Sequence, residues 1–185
     1  MKPLCIFRTL VGPGKLFEKA FQFLGHEAFI TDDPQRARDA SHLVLPGDAA
    51  FGDAMRNLRT AGWDTVIEDH VSTGRPFLGI CVGLQLMFAT SEEMGQHTGL
   101  DLFAGRCRRF PAAERVPQIG WNQISVQQPC AILDGIEEGS FFYFVHSYYV
   151  ETDKAEESVA VTAASAVAAG TDGRGWPRPM AEQTR

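Results

Sequence analysis

The chain has 185 residues, enough for one domain of ordinary size with its own hydrophobic core. Hydrophobic residues make up 44% and charged residues 22%, as is normal for a globular protein. The sequence contains no stretch of 18 apolar residues, so no membrane span is predicted. The formal net charge of −6 argues against non-specific binding to nucleic acid, because phosphate contacts need a basic surface.

The four cysteines are scattered along the chain without a C-x-x-C pair: Cys5, Cys81, Cys107 and Cys130. This spacing predicts neither a zinc site nor a redox dithiol, so we expect no metal and no cofactor. Lys2 is followed by no sustained apolar run, which predicts that there is no signal peptide. Reduced thiols in a cytoplasmic protein are the simplest interpretation.

In the first half of the chain, predicted strands alternate with predicted helices. Four short apolar runs predict buried strands, at residues 4–7, 28–31, 42–45 and 76–80. Helices are predicted between and after them, over residues 16–24, 34–40, 52–73 and 82–89. Gly25 ends the first helix, and Asp32 and Asp33 open the second. This alternation predicts an α/β fold, with a parallel sheet covered by helices on both faces.

The second half of the chain contains short β-like runs without long helices between them, at residues 106–110, 116–126 and 140–150. They predict hairpins or an antiparallel extension of the sheet. Residues 159–169 are dominated by Ala and Val, whereas residues 170–185 are rich in Gly, Pro, Arg and Thr with little apolar periodicity. No structure is predicted for about the last 15 residues, and residues 166–185 are treated as an atypical tail. The predicted domain therefore spans residues 1–165.

The sharpest local motif is Gly79-x-Cys81-x-Gly83, between a predicted strand and a predicted helix. It matches the nucleophile elbow, with cysteine in place of serine. A tight turn there forces the nucleophile into a strained backbone and needs glycine neighbours. The helix N-terminus beyond it would favour a thiolate and offer free amides to an oxyanion. The alternative is a buried structural cysteine between packing glycines.

A second glycine turn, residues 45–52, also follows a strand. In a parallel sheet such a loop lies at the same edge as Cys81, so its amides could complete an oxyanion hole. The alternative is an ordinary turn that ends a strand.

Together the two loops resemble those of the class I glutamine amidotransferases. Further segments narrow the resemblance to the glutaminase subunit of imidazole glycerol phosphate synthase, in histidine biosynthesis. They occur in order, as residues 75–85, 91–93, 105–110, 116–122 and 142–149. The resemblance implies a flavodoxin-like, three-layer α/β domain.

The resemblance also implies the chemistry. Cys81 would attack the side-chain amide of glutamine, giving a thioester and ammonia, and water would then release glutamate. The amide of Val82 would be one oxyanion donor, and the loop containing Gly47 and Asp48 would supply or gate the other.

Other positions match segments that hold the substrate or meet the partner. Glutamine would be held by Gly52, Gln85, Ser147 and Tyr148. Trp121 and Asn122 would lie near the partner, a (β/α)₈-barrel cyclase that forms a heterodimer with this chain and uses the ammonia. Each position also has a plainer interpretation: Trp121 as a core residue, Gln85 as a solvated helix residue, and Tyr148 as a packed strand residue.

Three departures from the family bear on activity. The family ends with a Phe-His-Pro-Glu segment that supplies the catalytic His and Glu, and this sequence has none, as if its tail were truncated or frame-shifted. The polar residues of the family's first turn are replaced in residues 10–15, and Asp48-Ala49 stands where Val-Gly is usual. Ala49 would resist a backbone flip, and Asp48 would oppose a developing oxyanion. We expect His146 to be structural.

Two rival functions therefore accompany the glutaminase. One is a non-catalytic subunit that only binds the cyclase, because a thiol without a base attacks an amide poorly. The other is a different cysteine hydrolase on a similar sheet, with a histidine partner from elsewhere in the chain.

Overall fold

In the computed structural model, residues 3–7 and 14–162 are described, together with the backbone of residues 166–167. Residues 10–15, where the polar residues of the family's first turn are replaced, lie mostly outside these ranges. The expectations for the tail beyond residue 167 also lie outside the described residues.

The centre of the fold is a four-stranded sheet in the order β2-β1-β3-β4, with every neighbouring pair parallel. Its strands are β1 (Leu4–Phe7), β2 (Ala28–Thr31), β3 (His42–Gly47) and β4 (Phe77–Cys81). The apolar residues of β1 and β3 are buried, as expected where helices cover both faces of a parallel sheet. The predicted α/β fold with a parallel sheet is confirmed.

Five α-helices are described: α1 (Gly14–Phe23), α2 (Pro34–Ala37), α3 (Phe51–Thr60), α4 (Trp63–Ser72) and α5 (Val82–Gln85). Asp33 caps α2 by accepting a hydrogen bond from the Gln35 amide at 2.9 Å, as its position before Pro34 predicts. The helical stretch predicted over residues 52–73 is two helices, because Gly62 adopts a φ of 75° between them.

The helix predicted over residues 82–89 was wrong beyond Gln85. The carbonyl of Leu86 accepts a hydrogen bond from the Leu100 amide, and the carbonyl of Met87 accepts from the Leu102 amide. These carbonyls would otherwise serve a continuing helix, so the chain leaves the helix and enters a strand at Phe88.

The second half of the chain forms further sheets. Its strands are β5 (Phe88–Ser91), β6 (His97–Thr98), β7 (Phe103–Arg109), β8 (Gln118–Gln123), β9 (Ser125–Val126), β10 (Phe141–His146), β11 (Tyr148–Thr152), β12 (Ala160–Val161) and β13 (Ala166–Val167). They pair in the orders β11-β7-β5-β6, β10-β8 and β13-β12-β9. All of these pairs are antiparallel except β5 with β7, so the antiparallel second half is confirmed.

The run predicted over residues 140–150 is two strands that belong to different sheets. β10 pairs with β8, whereas β11 pairs with β7. Ser147 stands at the change of sheet, and its carbonyl accepts a hydrogen bond from the Phe110 amide at 3.2 Å. The residues around Ser147 are therefore held from both sides.

The main core lies where α3, α4 and α5 pack on the parallel sheet and on β5 and β7. Its fully buried members include Leu43, Phe51, Ile67, Phe77, Leu84, Met87 and Phe88. Within the described residues, no helix is both long and apolar enough to cross a membrane.

Candidate active site

Cys81 is the last residue of β4 and directly precedes α5, and it has an unusual backbone. Its φ is 56° and its ψ is −120°, a conformation that glycine normally occupies in turns. A non-glycine residue held there costs on the order of 1–3 kcal/mol and persists only when its surroundings enforce it. The strained strand-to-helix turn predicted from the sequence is therefore present.

The glycines on either side of Cys81 are required by close packing. A Cβ added at Gly83 would collide with the carbonyl oxygen of Leu45 on β3. A Cβ added at Gly79 would lie 2.6 Å from the Met87 sulfur and 2.7 Å from the carbonyl of Gly83. The turn can therefore approach β3 only because both positions lack a side chain.

Cys81 also differs from two other cysteines of the chain. Cys5 and Cys107 are buried, and burial raises the pKa of each of these thiols to about 12, so both stay protonated and inert. Cys81 is only half-buried. The structure therefore favours the nucleophile interpretation over the alternative of a buried structural cysteine.

The loop after β3 lies beside Cys81, as the parallel topology predicts. Gly47 is the register partner of Cys81, and a Cβ added at Gly47 would lie 2.9 Å from both the Val82 Cβ and the Gly83 amide nitrogen. Gly47, Cys81 and Val82 are thus brought together at one sheet edge. Asp48 and Ala49 follow as exposed residues. Positive φ occurs at only three described non-glycine residues, and Ala49 is not among them.

The expected electrostatic help from a helix N-terminus must be reduced. α5 has only four residues, so its peptide dipoles sum over a single turn. A full helix dipole contributes about 0.3–1 kcal/mol at its terminus, and this short segment contributes less. What α5 offers an anion is local, namely the amides that begin its first turn.

The predicted glutamine-binding residues Gln85 and Tyr148 are in direct contact. Gln85 is only 3% exposed, so its interpretation as a solvated helix residue was wrong. Its Nε2 donates a hydrogen bond to the Tyr148 carbonyl at 3.3 Å. The same carbonyl accepts from His146 Nδ1 at 2.9 Å. Gln85 therefore ties the helix after Cys81 to the sheet change at Ser147.

Gly52, the remaining predicted substrate contact, lies in the first turn of α3 against the imidazole of His97. A Cβ added at Gly52 would lie 2.5 Å from His97 Cε1. The preceding residue, Phe51, donates its amide to the Glu93 carboxylate at 2.7 Å. Sequence reasoning missed both Glu93 and His97, although Glu93 lay in a segment that carried the family resemblance.

Two of the five histidines lie at the wrong edge of the sheet to act on Cys81. His42 begins β3, and His70 donates from Nε2 to the carbonyl of Pro76, just before β4, at 2.9 Å. The amino ends of parallel strands lie opposite their carboxyl ends, where Cys81 is found. Burial lowers the pKa of His70 to about 4, so it is a neutral core residue.

The predicted partner residues Trp121 and Asn122 lie on opposite faces of β8. Trp121 is 66% exposed, so its interpretation as a core residue was wrong. Its ring packs on Tyr143 of β10, with centroids 5.3 Å apart. The shared outer face, called here the apolar ribbon, consists of exposed Ile119, Trp121, Phe141, Tyr143 and Val145. Asn122 faces inward, and its buried Nδ2 has no hydrogen-bond partner.

No group of three His, Cys, Asp or Glu side chains in residues 3–7 and 14–162 is placed to hold a metal ion.

Comparison with known proteins gives a consistent result. The family Glutamine amidotransferase class-I matches residues 29–170. The imidazole glycerol phosphate synthase subunit HisH of Syntrophotalea carbinolica is 47% identical over 156 residues, covering 80% of this chain and 74% of that protein. The HisH subunit of Moorella thermoacetica is 45% identical over 162 residues, covering 88% of this chain and 77% of that protein.

A crystal structure of a glutamine amidotransferase from Thermotoga maritima has a TM-score of 0.69 to this chain at 14% identity. The match covers 100% of this chain and 75% of that one, which shows a shared fold.

Proposed function

This chain belongs to the class I glutamine amidotransferase family, and we propose that it is the glutaminase subunit of an imidazole glycerol phosphate synthase. It would hydrolyse glutamine to glutamate and ammonia with Cys81 as nucleophile. The observation that carries the proposal is the strained φ of 56° at Cys81, directly beside Gly47 at the carboxyl edge of the sheet. The names of its relatives select the synthase among amidotransferases.

In the proposed reaction the Cys81 sulfur attacks the carbon of the side-chain amide. The C–N bond breaks, and the amide nitrogen takes the proton that the thiol gives up and leaves as ammonia. Water then hydrolyses the thioester to glutamate and the free thiol. The amide of Val82, with the loop of Gly47 and Asp48, would stabilise the oxyanion. Loss of one such donor typically costs about 10²–10³ in rate. Exposed Asp48 weakens this loop as an anion site, because its carboxylate opposes the developing charge.

Four residues would hold glutamine beside Cys81. Gln85 and Tyr148 already contact each other, and Ser147 is fixed next to them by the Phe110 amide. Gly52 would contribute backbone contacts from the start of α3. These residues come from α3, α5 and the β10–β11 junction, so three separate elements would build the proposed pocket.

The apolar ribbon supports the proposed partner. A row of exposed aromatic and aliphatic side chains is typical of protein interfaces and unusual on a free surface. We place the (β/α)₈-barrel cyclase on this face, with Trp121 as the anchor. The ammonia released at Cys81 would pass to that partner, which would use it to cleave a ribulosyl aminoimidazole nucleotide.

A second candidate function is a subunit that binds the cyclase without glutaminase turnover. The sequence has no Phe-His-Pro-Glu segment, which supplies the base and acid in the family that it resembles. Loss of general acid–base catalysis typically costs about 10²–10⁴ in rate.

One experiment separates the two functions. The full chain is mixed with the cyclase of its own synthase and the nucleotide ligand, and glutamate release is measured. Cys81→Ala removes the proposed nucleophile, and Cys130→Ala is the matched control at a half-buried cysteine of another cluster.

Turnover that Cys81→Ala abolishes and Cys130→Ala retains supports the glutaminase. A stable complex without turnover supports the binding subunit. Failure to bind the cyclase contradicts both proposals.

A further inference from the structure

The hairpin of β5 and β6 contacts the first turn of α3 at two places, through a hydrogen bond and through the packing of a ring. The first contact is electrostatic. The Glu93 carboxylate accepts the Phe51 amide at 2.7 Å, and Ala50, the residue that precedes α3, makes no side-chain cap. Glu93 therefore satisfies an amide at the start of a ten-residue helix, where a negative charge is also favoured by the helix dipole.

The second contact is steric. The His97 ring lies directly against Gly52, where an added Cβ would be 2.5 Å from Cε1 and 2.8 Å from Nδ1. A Cβ added at Gly95 would lie 3.4 Å from His97 Nε2. The ring is therefore close to two glycines, one in the hairpin turn and one in α3.

The hairpin is itself fixed to the body of the protein. Ser91 pairs with both His97 and Cys107, so β5 joins β6 to β7. The Glu92 carboxylate accepts the Arg109 amide at 2.9 Å, and Ser91 Oγ accepts the Glu93 amide at 3.2 Å. A hairpin that is fixed in this way can hold the residues that it contacts in a defined position.

The loop of residues 47–50 has two ends, and the hairpin controls one of them. At its first end, Gly47 is the register partner of Cys81 on the neighbouring strand. Its second end continues directly into Phe51 and Gly52, the residues that Glu93 and His97 hold. A shift of α3 would therefore displace the exposed residues Asp48 and Ala49 relative to the sulfur.

We propose that His97, with Glu93, is a positioning residue for this site. The two side chains hold the first turn of α3 and so fix the loop of residues 47–50 beside Cys81. As a role in catalysis the inference rests on the proposed glutaminase function, whereas the positioning of the loop can be measured without turnover. His97 touches neither Cys81 nor the substrate in this scheme; it acts through Gly52.

The test uses the full chain and two readouts, the alkylation rate of Cys81 by iodoacetamide and glutamine turnover in the complex with the cyclase. His97→Ala removes the ring, and His97→Phe keeps a flat ring against Gly52. Thr98→Ala is the matched control, an exposed neighbour on the same strand.

We expect His97→Ala to speed alkylation of Cys81, because release of the loop beside Cys81 would make the sulfur more accessible. In the complex, kcat should fall about tenfold, less than the roughly 10²–10³ for outright loss of an oxyanion donor. KM should change by less than about twofold, because displaced loop amides weaken the transition state more than the bound ground state. His97→Phe should restore both readouts, and Thr98→Ala should change neither.

A double-mutant cycle tests the contact itself. Gly52→Ala should perturb the alkylation rate when His97 is present, because the new methyl group displaces the ring. In the His97→Ala background the same methyl group has room, so the alkylation rate of the double variant should equal that of His97→Ala alone.

The proposal is overturned if His97→Ala leaves the alkylation rate within about twofold of wild type. It is also overturned if the effects of Gly52→Ala and His97→Ala on the alkylation rate are additive in the double variant. It is also overturned if His97→Phe is as impaired as His97→Ala. A wild-type chain without turnover would contradict the glutaminase while the alkylation readouts still decide the positioning of the loop.

Discussion

The strain at Cys81 predicts that replacing the nucleophile by glycine gives a more stable protein than replacing it by alanine. Cys81→Ala removes the sulfur but keeps a Cβ, so the φ of 56° and ψ of −120° remain unfavourable. Cys81→Gly removes the sulfur and the Cβ together, and glycine adopts this conformation without steric cost. The difference between the two variants therefore isolates the backbone strain.

The magnitude follows from two opposing terms. Relief of the strained backbone contributes about 1–3 kcal/mol. The greater freedom of glycine in the unfolded chain costs roughly 0.5–1 kcal/mol. The net expectation is that Cys81→Gly exceeds Cys81→Ala in its free energy of unfolding by about 0–2.5 kcal/mol, with the middle of the range at about 1 kcal/mol. For a domain of this size each 1 kcal/mol corresponds to about 2–4 °C in Tm.

The assay is urea unfolding of both variants, followed by circular dichroism, with equal m-values as the condition for comparing midpoints. Both variants lack the thiol, so turnover plays no part in the comparison. A Cys81→Gly variant that is less stable than Cys81→Ala would show that the turn stores less strain than the glycine costs in the unfolded chain, and the argument from backbone geometry to nucleophile would fail.

Three other predictions follow from packing, burial and exposure. Gly83→Ala should unfold the domain or lower its Tm by many degrees, because its Cβ collides with the β3 backbone, whereas Gly14→Ala, with its nearest atom at 3.6 Å, should be tolerated in the same thermal melt. His70 is buried, and its pKa is lowered to about 4. The contribution of neutral His70 to the free energy of unfolding should therefore be fully present above the unfolded pKa of about 6.5. It should fall by about 3 kcal/mol in total as the pH drops toward 4. Urea titrations across this range should show the slope for wild type, and His70→Gln, which cannot titrate, should lack this part of it. Trp121→Ala should weaken binding of the cyclase by about 2–4 kcal/mol in calorimetry while changing Tm little, and Phe23→Ala, at an aromatic residue 91% exposed on α1, should leave binding unchanged.

Much of the fold could be predicted from short-range features of the sequence. The four parallel strands coincide with apolar runs, Gly25 follows closely on the end of α1, and Asp33 caps the start of α2. The end of α2 was not readable, because the helix predicted to residue 40 stops at Ala37. The strained turn at Cys81 was also readable, because the motif Gly79-x-Cys81-x-Gly83 that marks it is contiguous in the chain. Such signals involve residues within one or two turns of each other, so they survive in the bare sequence.

Other features depended on partners that are distant in sequence. The end of α5 at Gln85 was missed, because the amides that take the carbonyls of Leu86 and Met87 come from residues 100 and 102. The break at Ser147 was missed because β10 and β11 pair with different strands. In both cases periodicity continued through a point where hydrogen-bond partners changed.

The sequence by itself determined the parallel sheet and the position of the candidate nucleophile, because the apolar runs of the strands and the motif around Cys81 each lie within one short segment. Only the tertiary structure decided that Trp121 is exposed, that Gln85 is buried on the Tyr148 carbonyl, and that His97 lies on Gly52. Burial and contact between such residues depend on which faces the sheets present to each other. That arrangement is set by the pairing of backbone amides and the burial of apolar surface between distant segments, so it cannot be read from any single segment.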